Sequence, residues 1–119
     1  MKILEDRFPC MRAGEQRALK SCLEAMGKTL PVKQIIMFGS RARGTYSFDS
    51  DVDLCVVADT ITSQRQAARN LRRSIGRIRG KPALSILPIS PQRLKEKRKS
   101  RDPFFQSVLQ EGVLVAEED

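Results

Sequence analysis

From about Arg12 to Lys28 the apolar positions fall at Leu19, Cys22, Leu23 and Met26, then Leu30, a helical stripe that stops near Gly27 and Pro31. The period then shortens. Lys33–Phe38 is short and β-branched and predicts a strand, and Val52–Ala58 predicts a second. Between them, Gly39–Ser50 is rich in Gly, Ser, Thr and Asp and reads as a loop with room for one helical turn. Thr62 or Ser63 can cap a helix running to about Arg79, with Ala68, Leu71, Ile75 and Ile78 on its buried face, stopped by Gly80-Lys81-Pro82. Ala83–Ile89 is a third strand. Ser90-Pro91 and Asp102-Pro103 each start a helix with Pro in the first turn, the second being Phe104–Gln110, closed by Gly112. Val113–Val115 adds a short edge strand before an acidic tail. The predicted class is α+β: a small mixed or antiparallel sheet flanked by helices, in the order α-β-β-α-β-α-α. A loop of this length lets strands one and two pair antiparallel.

At 119 residues with 40% hydrophobic content, one domain over residues 1–119 is expected. No apolar run reaches membrane-spanning length, and the N-terminus lacks the apolar core of a signal peptide, so a cytoplasmic protein with no membrane partner is expected. Cys10, Cys22 and Cys55 are odd in number with no CxxC spacing, which disfavours a disulfide framework or zinc site. The chain has no histidine. Imidazole bases and most transition-metal sites are thereby excluded, leaving carboxylates, hydroxyls, Lys and Arg, and a hard, oxygen-loving cation. With 22 Lys and Arg against 14 Asp and Glu, the formal charge of +8 favours a polyanionic partner.

The most informative stretch is Asp51-Val52-Asp53-Leu54-Cys55-Val56-Val57. On a strand, side chains alternate, so Asp51 and Asp53 share one face while Val52, Leu54 and Val56 enter the core. Carboxylates about 6–7 Å apart at their bases can converge on one or two divalent ions. Without a cation they repel and one pKa rises. An isolated Asp-x-Asp more often marks only the solvent face of a strand. Here, though, Gly39-Ser40 follows the first strand, where backbone N–H groups and a hydroxyl can approach phosphate, and Arg41 and Arg43 add guanidinium donors.

Gly39-Ser40-Arg41-Ala42-Arg43-Gly44 leading to Ser50-Asp51-Val52-Asp53-Leu54 resembles the DNA polymerase β-like nucleotidyltransferases, and within them the minimal nucleotidyltransferase family. The segment from Asp102-Pro103-Phe104-Phe105 to Glu111-Gly112-Val113-Leu114 is similar to that family's C-terminus. The resemblance implies a nucleotidyltransferase fold, with Gly39 and Ser40 binding the triphosphate and Asp51 and Asp53 as catalytic ligands of Mg²⁺. It also implies ATP or another nucleoside triphosphate as substrate and, in many members, a helical HEPN-type partner within a toxin–antitoxin pair. Some members silence that partner by attaching AMP to a tyrosine.

The sequence departs from the family at its third carboxylate, expected on the strand after the long helix. Ala83-Leu84-Ser85-Ile86-Leu87-Pro88-Ile89 offers Ser85 at that position, a weak metal ligand and a poor base. Asp49 in the loop and Asp59 at a strand end are the other carboxylates nearby. The chain therefore reads as a transferase moving a nucleoside monophosphate to a hydroxyl of a partner protein, or alternatively as a degenerate nucleotide- and partner-binding antitoxin subunit. A third reading, an RNA-binding module, draws on the basic segment 65–81. Arg65, Arg69, Arg72 and Arg73 recur there at helical spacing, and Arg77, Arg79 and Lys81 follow, as a solvated face or a docking surface for nucleic acid or an acidic partner. Lys95, Lys97, Arg98, Lys99 and Arg101 form a second cluster. Few aromatics are available for stacking bases. A homo-oligomer stays open.

Overall fold

Helix α1 (Ala13–Thr29) buries Ala18, Leu19, Cys22, Leu23 and Met26, one stripe at helical spacing. It ends at an extended Leu30 because Pro31 disfavours helical geometry in the residue before it. This computed structural model describes residues 1–47 and 49–119; the loop predicted over 39–50 thus includes one position, Phe48, outside the described residues. Five strands, β1 (Lys2–Ile3), β2 (Val32–Phe38), β3 (Val52–Ala58), β4 (Leu84–Ile89) and β5 (Val113–Glu117), form one mixed sheet in the order β1-β5-β2-β3-β4. β2 and β3 are antiparallel, as the connecting loop allows. β3 and β4 are parallel, which requires the crossover supplied by α3 (Gln64–Ile75).

The caps follow the sequence signals. Ser63 accepts from Gln66 N at the start of α3, Ser90 from Arg93 N at the start of α4 (Pro91–Lys99), and Asp102 from Phe104 N and Phe105 N at the start of α5 (Pro103–Glu111). Helices α1 and α3 cover one face of the sheet, packing Leu23, Met26, Leu71 and Ile75 on Val52, Leu54 and Val56. Helices α4 and α5 cover the other, packing Leu94, Phe105 and Val108 on Ile36, Cys55, Val57 and Ile89. With both faces covered, every residue of β3 is buried except Asp53.

Four local expectations change. β5 is not an edge strand: it lies between β1 and β2, and its neighbour β1 is only two residues long, too short for any period to show. Helix α3 stops at Ile75, and its buried face is Ala67, Leu71 and Ile75, with Ala68 only partly covered. Arg77 and Arg79 therefore stand in the turns that follow rather than on the helix. Asp51 precedes β3 instead of belonging to it, because the ladder with β4 begins at Val52 opposite Leu84.

Candidate active site

The register of three strands assembles the site. Phe38 on β2 pairs with Asp53 on β3, and Asp53 pairs with Ser85 on β4. Two residues along lies an apolar row, Ile36, Cys55 and Leu87. These rows share one face, since side chains alternate along a strand. Helices α4 and α5 seal the apolar part, and the last row, Phe38–Asp53–Ser85, is polar at two of its three positions.

Gly39 turns the chain out of β2 with φ 75° and ψ −157°, a conformation open essentially to glycine alone. It also lies against the carboxylate: a Cβ there would collide with Asp53 Oδ2 and stand 3.2 Å from Asp53 Cγ. One helical turn follows, α2 (Ser40–Arg43), closed by Gly44 in the left-handed conformation. Among the described residues, the Ser40 hydroxyl makes no hydrogen bond.

The two loop arginines diverge. Arg41 is 3% exposed. Its Nε and Nη2 donate to Ser50 O at 3.4 and 3.2 Å, its Nη1 donates to Cys10 O at 3.2 Å, and its guanidinium lies 4.5 Å from the Tyr46 ring centroid. Of the two arginines expected at the nucleotide, Arg41 turns its guanidinium inward and ties the residue before Asp51 to the N-terminal segment. Arg43 is exposed and within electrostatic reach of Asp53, and its Nη1 lies 3.4 Å from Glu111 Oε2. Ser107 Oγ donates to the same oxygen at 3.3 Å. Phe104 sets its ring edge-on to Phe38 with centroids 5.6 Å apart. Phe104, Ser107 and Glu111 recur at helical spacing and make α5 a wall across the site from the Gly39–Arg43 turn. Glu111 and Phe104 escaped the sequence reading, whose only signal for them was that spacing.

Burial pushes the Asp53 carboxyl above the usual carboxylate range, the charge of Asp51 pushes it further, and Arg43 partly offsets both. Asp49, by contrast, is held below that range, first by the Ser47 hydroxyl donating to it. Since Asp53 binds its proton more readily in the folded chain than in the unfolded one, its contribution to stability is present at low pH and is lost as pH rises through the raised pKa. At neutral pH the ionised carboxylate thus destabilises the metal-free fold. Asp53→Asn should raise the melting temperature in chelator at pH 7 and flatten the acid side of the stability profile. Thermal unfolding from pH 3 to 8 checks this, and a variant melting below wild type at pH 7 contradicts it.

Two carboxylates that repel, with a hydroxyl in register and the neighbouring thiol of Cys55 fully buried in the apolar row, suit a hard divalent cation that keeps places for substrate oxygens. Among the described residues no cluster of three acidic or thiol ligands exists. Asp59 is drawn to Lys33 at 3.4 Å, at the opposite end of β3 from Asp53. A groove of about 490 Å³, lined by Lys33, Val57, Leu94, Lys95, Arg98 and Glu118 among others, also lies at that far end and includes neither site aspartate. On α3, Arg65, Arg69, Arg72 and Arg73 are exposed, and Arg72 Nη2 donates to Leu84 O at 3.2 Å, one residue from Ser85.

The chain resembles known proteins. The family described as "Nucleotidyltransferase domain" matches residues 19–112. A candidate protein adenylyltransferase of Methanocaldococcus jannaschii is 40% identical over 47 residues, 38% of this chain and 47% of that protein, so the match spans about half the relative's length. A candidate nucleotidyltransferase from Sulfolobus solfataricus superimposes with TM-score 0.56 at 25% identity, covering 86% of this chain and 79% of that one. A toxin–antitoxin structure with AMP-PNP gives TM-score 0.54 at 18% identity, covering 84% and 73%. A mutant of the toxin–antitoxin MntA–HpeT gives 0.53 at 15%, with the same coverage. The last two speak for the fold alone. No described helix is long and apolar enough to cross a membrane.

Proposed function

Because the chain belongs to the nucleotidyltransferase domain family, we propose that it transfers AMP from ATP to a hydroxyl of a partner protein, in the manner of an antitoxin acting on a helical HEPN-type toxin. The observation that carries this reading is Asp53: the one residue of an otherwise buried central strand left open, pressed against a glycine turn and beside a second carboxylate. The protein adenylyltransferase description of a relative supports this choice of nucleotide and acceptor class.

In this reading Asp51 and Asp53 hold Mg²⁺, which when bound supplies positive charge to the triphosphate oxygens. The amides of the Gly39 turn and the Ser40 hydroxyl receive the β- and γ-phosphates, and Arg43 adds a guanidinium to them. The acceptor oxygen attacks the α-phosphorus in line, its new P–O bond forming as the bond to pyrophosphate breaks, and the hydroxyl proton passes to solvent. Ser85, opposite Asp53, is where a base would stand, and its hydroxyl is a poor one. On α3, Arg72 reaches Leu84 O next to Ser85, and the exposed arginines of that helix suit an acidic surface of the acceptor or nucleic acid.

Serine at that position favours a second reading, a degenerate subunit that binds nucleotide and partner without turnover. Incubation with α-phosphate-labelled ATP, Mg²⁺ and the partner decides between them: label on the partner supports transfer, and binding without label supports the degenerate subunit. Ser85→Asp sharpens the test. It should raise transfer about 10²-fold, the low end for general-base catalysis, and tighten Mg²⁺ while lowering metal-free stability. A variant with unchanged Mg²⁺ affinity and unchanged activity would show that no acid belongs at position 85.

A further inference from the structure

Among the described residues, Phe104 is the one large hydrophobic side chain left exposed, at 48%. A single exposed apolar residue needs no explanation on its own. Its place does. Phe104 stands in the first turn of α5, Asp102 fixes that turn through two hydrogen bonds at 3.0 and 3.2 Å, and the ring stands T-shaped to both Phe38 and Phe105 at centroid distances of 5.6 and 5.1 Å. A ring held by two others is oriented in advance, with little rotamer freedom left to lose on binding. Phe38 in turn is the cross-strand neighbour of Asp53, on the same face.

The far end of the same helical face carries Glu111 against Arg43. From Phe104 to Glu111 the helix rises about 10 Å. The wall thus has an apolar end at Phe104, against the cross-strand neighbour of Asp53, and an ionic end at Arg43. A nucleotide has that polarity and roughly that reach: a flat, apolar-faced base, a ribose, and an anionic tail. We propose that Phe104 is the platform on which the nucleobase of the bound triphosphate stacks, with the α-phosphate over Asp53 and the tail toward Ser40 and Arg43. Stacking on a ring face tolerates any base, so purines should outbind pyrimidines by surface area, without a sharp choice between adenine and guanine. This rests on the proposed triphosphate site, and the test separates the two.

Mg²⁺–AMP-PNP and Mg²⁺–tripolyphosphate, which has the tail without a base, are titrated calorimetrically into wild type, Phe104→Ala and Phe104→Trp. Phe104→Ala should weaken AMP-PNP about tenfold, and Phe104→Trp should restore it. Both variants should bind tripolyphosphate within about twofold of wild type, since nothing proposed for Phe104 touches the tail. The chain has no tryptophan, so Phe104→Trp installs a lone reporter whose emission AMP-PNP should quench and tripolyphosphate should not. Equal losses for both ligands in Phe104→Ala, or no loss for AMP-PNP, would overturn the platform while leaving the triphosphate site standing. Failure of wild type to bind either ligand would overturn both.

Discussion

Valine at position 39 should leave a folded chain that no longer holds a metal–triphosphate. Two effects add there. The backbone conformation of Gly39 is strained for any residue with a side chain, by of order 1–3 kcal/mol, and a β-branched residue sits at the upper end. The new Cβ would also occupy the space of Asp53 Oδ2, so the carboxylate has to swing away from its place beside the turn. Affinity for Mg²⁺–AMP-PNP should fall by roughly 10²-fold or more, since about 2.7 kcal/mol of lost binding suffices for that. Ser40→Ala is the mild counterpart. It removes one hydroxyl contact, about 1 kcal/mol, or roughly fivefold in affinity. Calorimetric titration gives the ranking, and circular dichroism confirms that each variant is folded. If valine melts the fold, Gly39→Ala carries the same backbone strain and the same collision with less bulk, and should fall between the other two. Three variants binding like wild type would mean that the turn does not serve the nucleotide.

Position 39 also marks how far the sequence could be read. Gly-Ser after a β-branched run, followed by Asp-x-Asp, is local, and so are the stripe of α1 and the caps Ser63, Ser90 and Asp102; all depend on neighbours within a few residues. What escaped depends on distant partners. The two residues of β1 become a strand only because β5 returns beside them, more than a hundred residues later. Asp51 falls off the strand because the ladder starts where β4 starts. Arg41 looks like any loop arginine until the carbonyls of Cys10 and Ser50 close around it, and a guanidinium can be buried only with such partners. Ser85 was identified from the resemblance, and strand alternation fixes its face, but its pairing with Asp53 is a matter of register between parallel strands joined by a whole helix. The wall of α5 was invisible for the same reason: spacing puts Phe104 and Glu111 on one side of a helix, and only packing says what that side faces.

The central claim is that Asp51 and Asp53 bind a divalent cation on behalf of a nucleotide. The direct measurement is the affinity of AMP-PNP, with and without Mg²⁺, for wild type and for the double variant Asp51→Asn, Asp53→Asn. Asparagine keeps the shape of each side chain and removes both charges, so the fold should persist and metal-free stability should rise as the cost of burying the Asp53 charge, and its repulsion by Asp51, disappear. Wild type should bind AMP-PNP far more tightly with Mg²⁺ than without it, and the double variant should lose at least about 10²-fold of that affinity along with nearly all dependence on the metal. A folded double variant that binds Mg²⁺–AMP-PNP as wild type does would contradict the assignment.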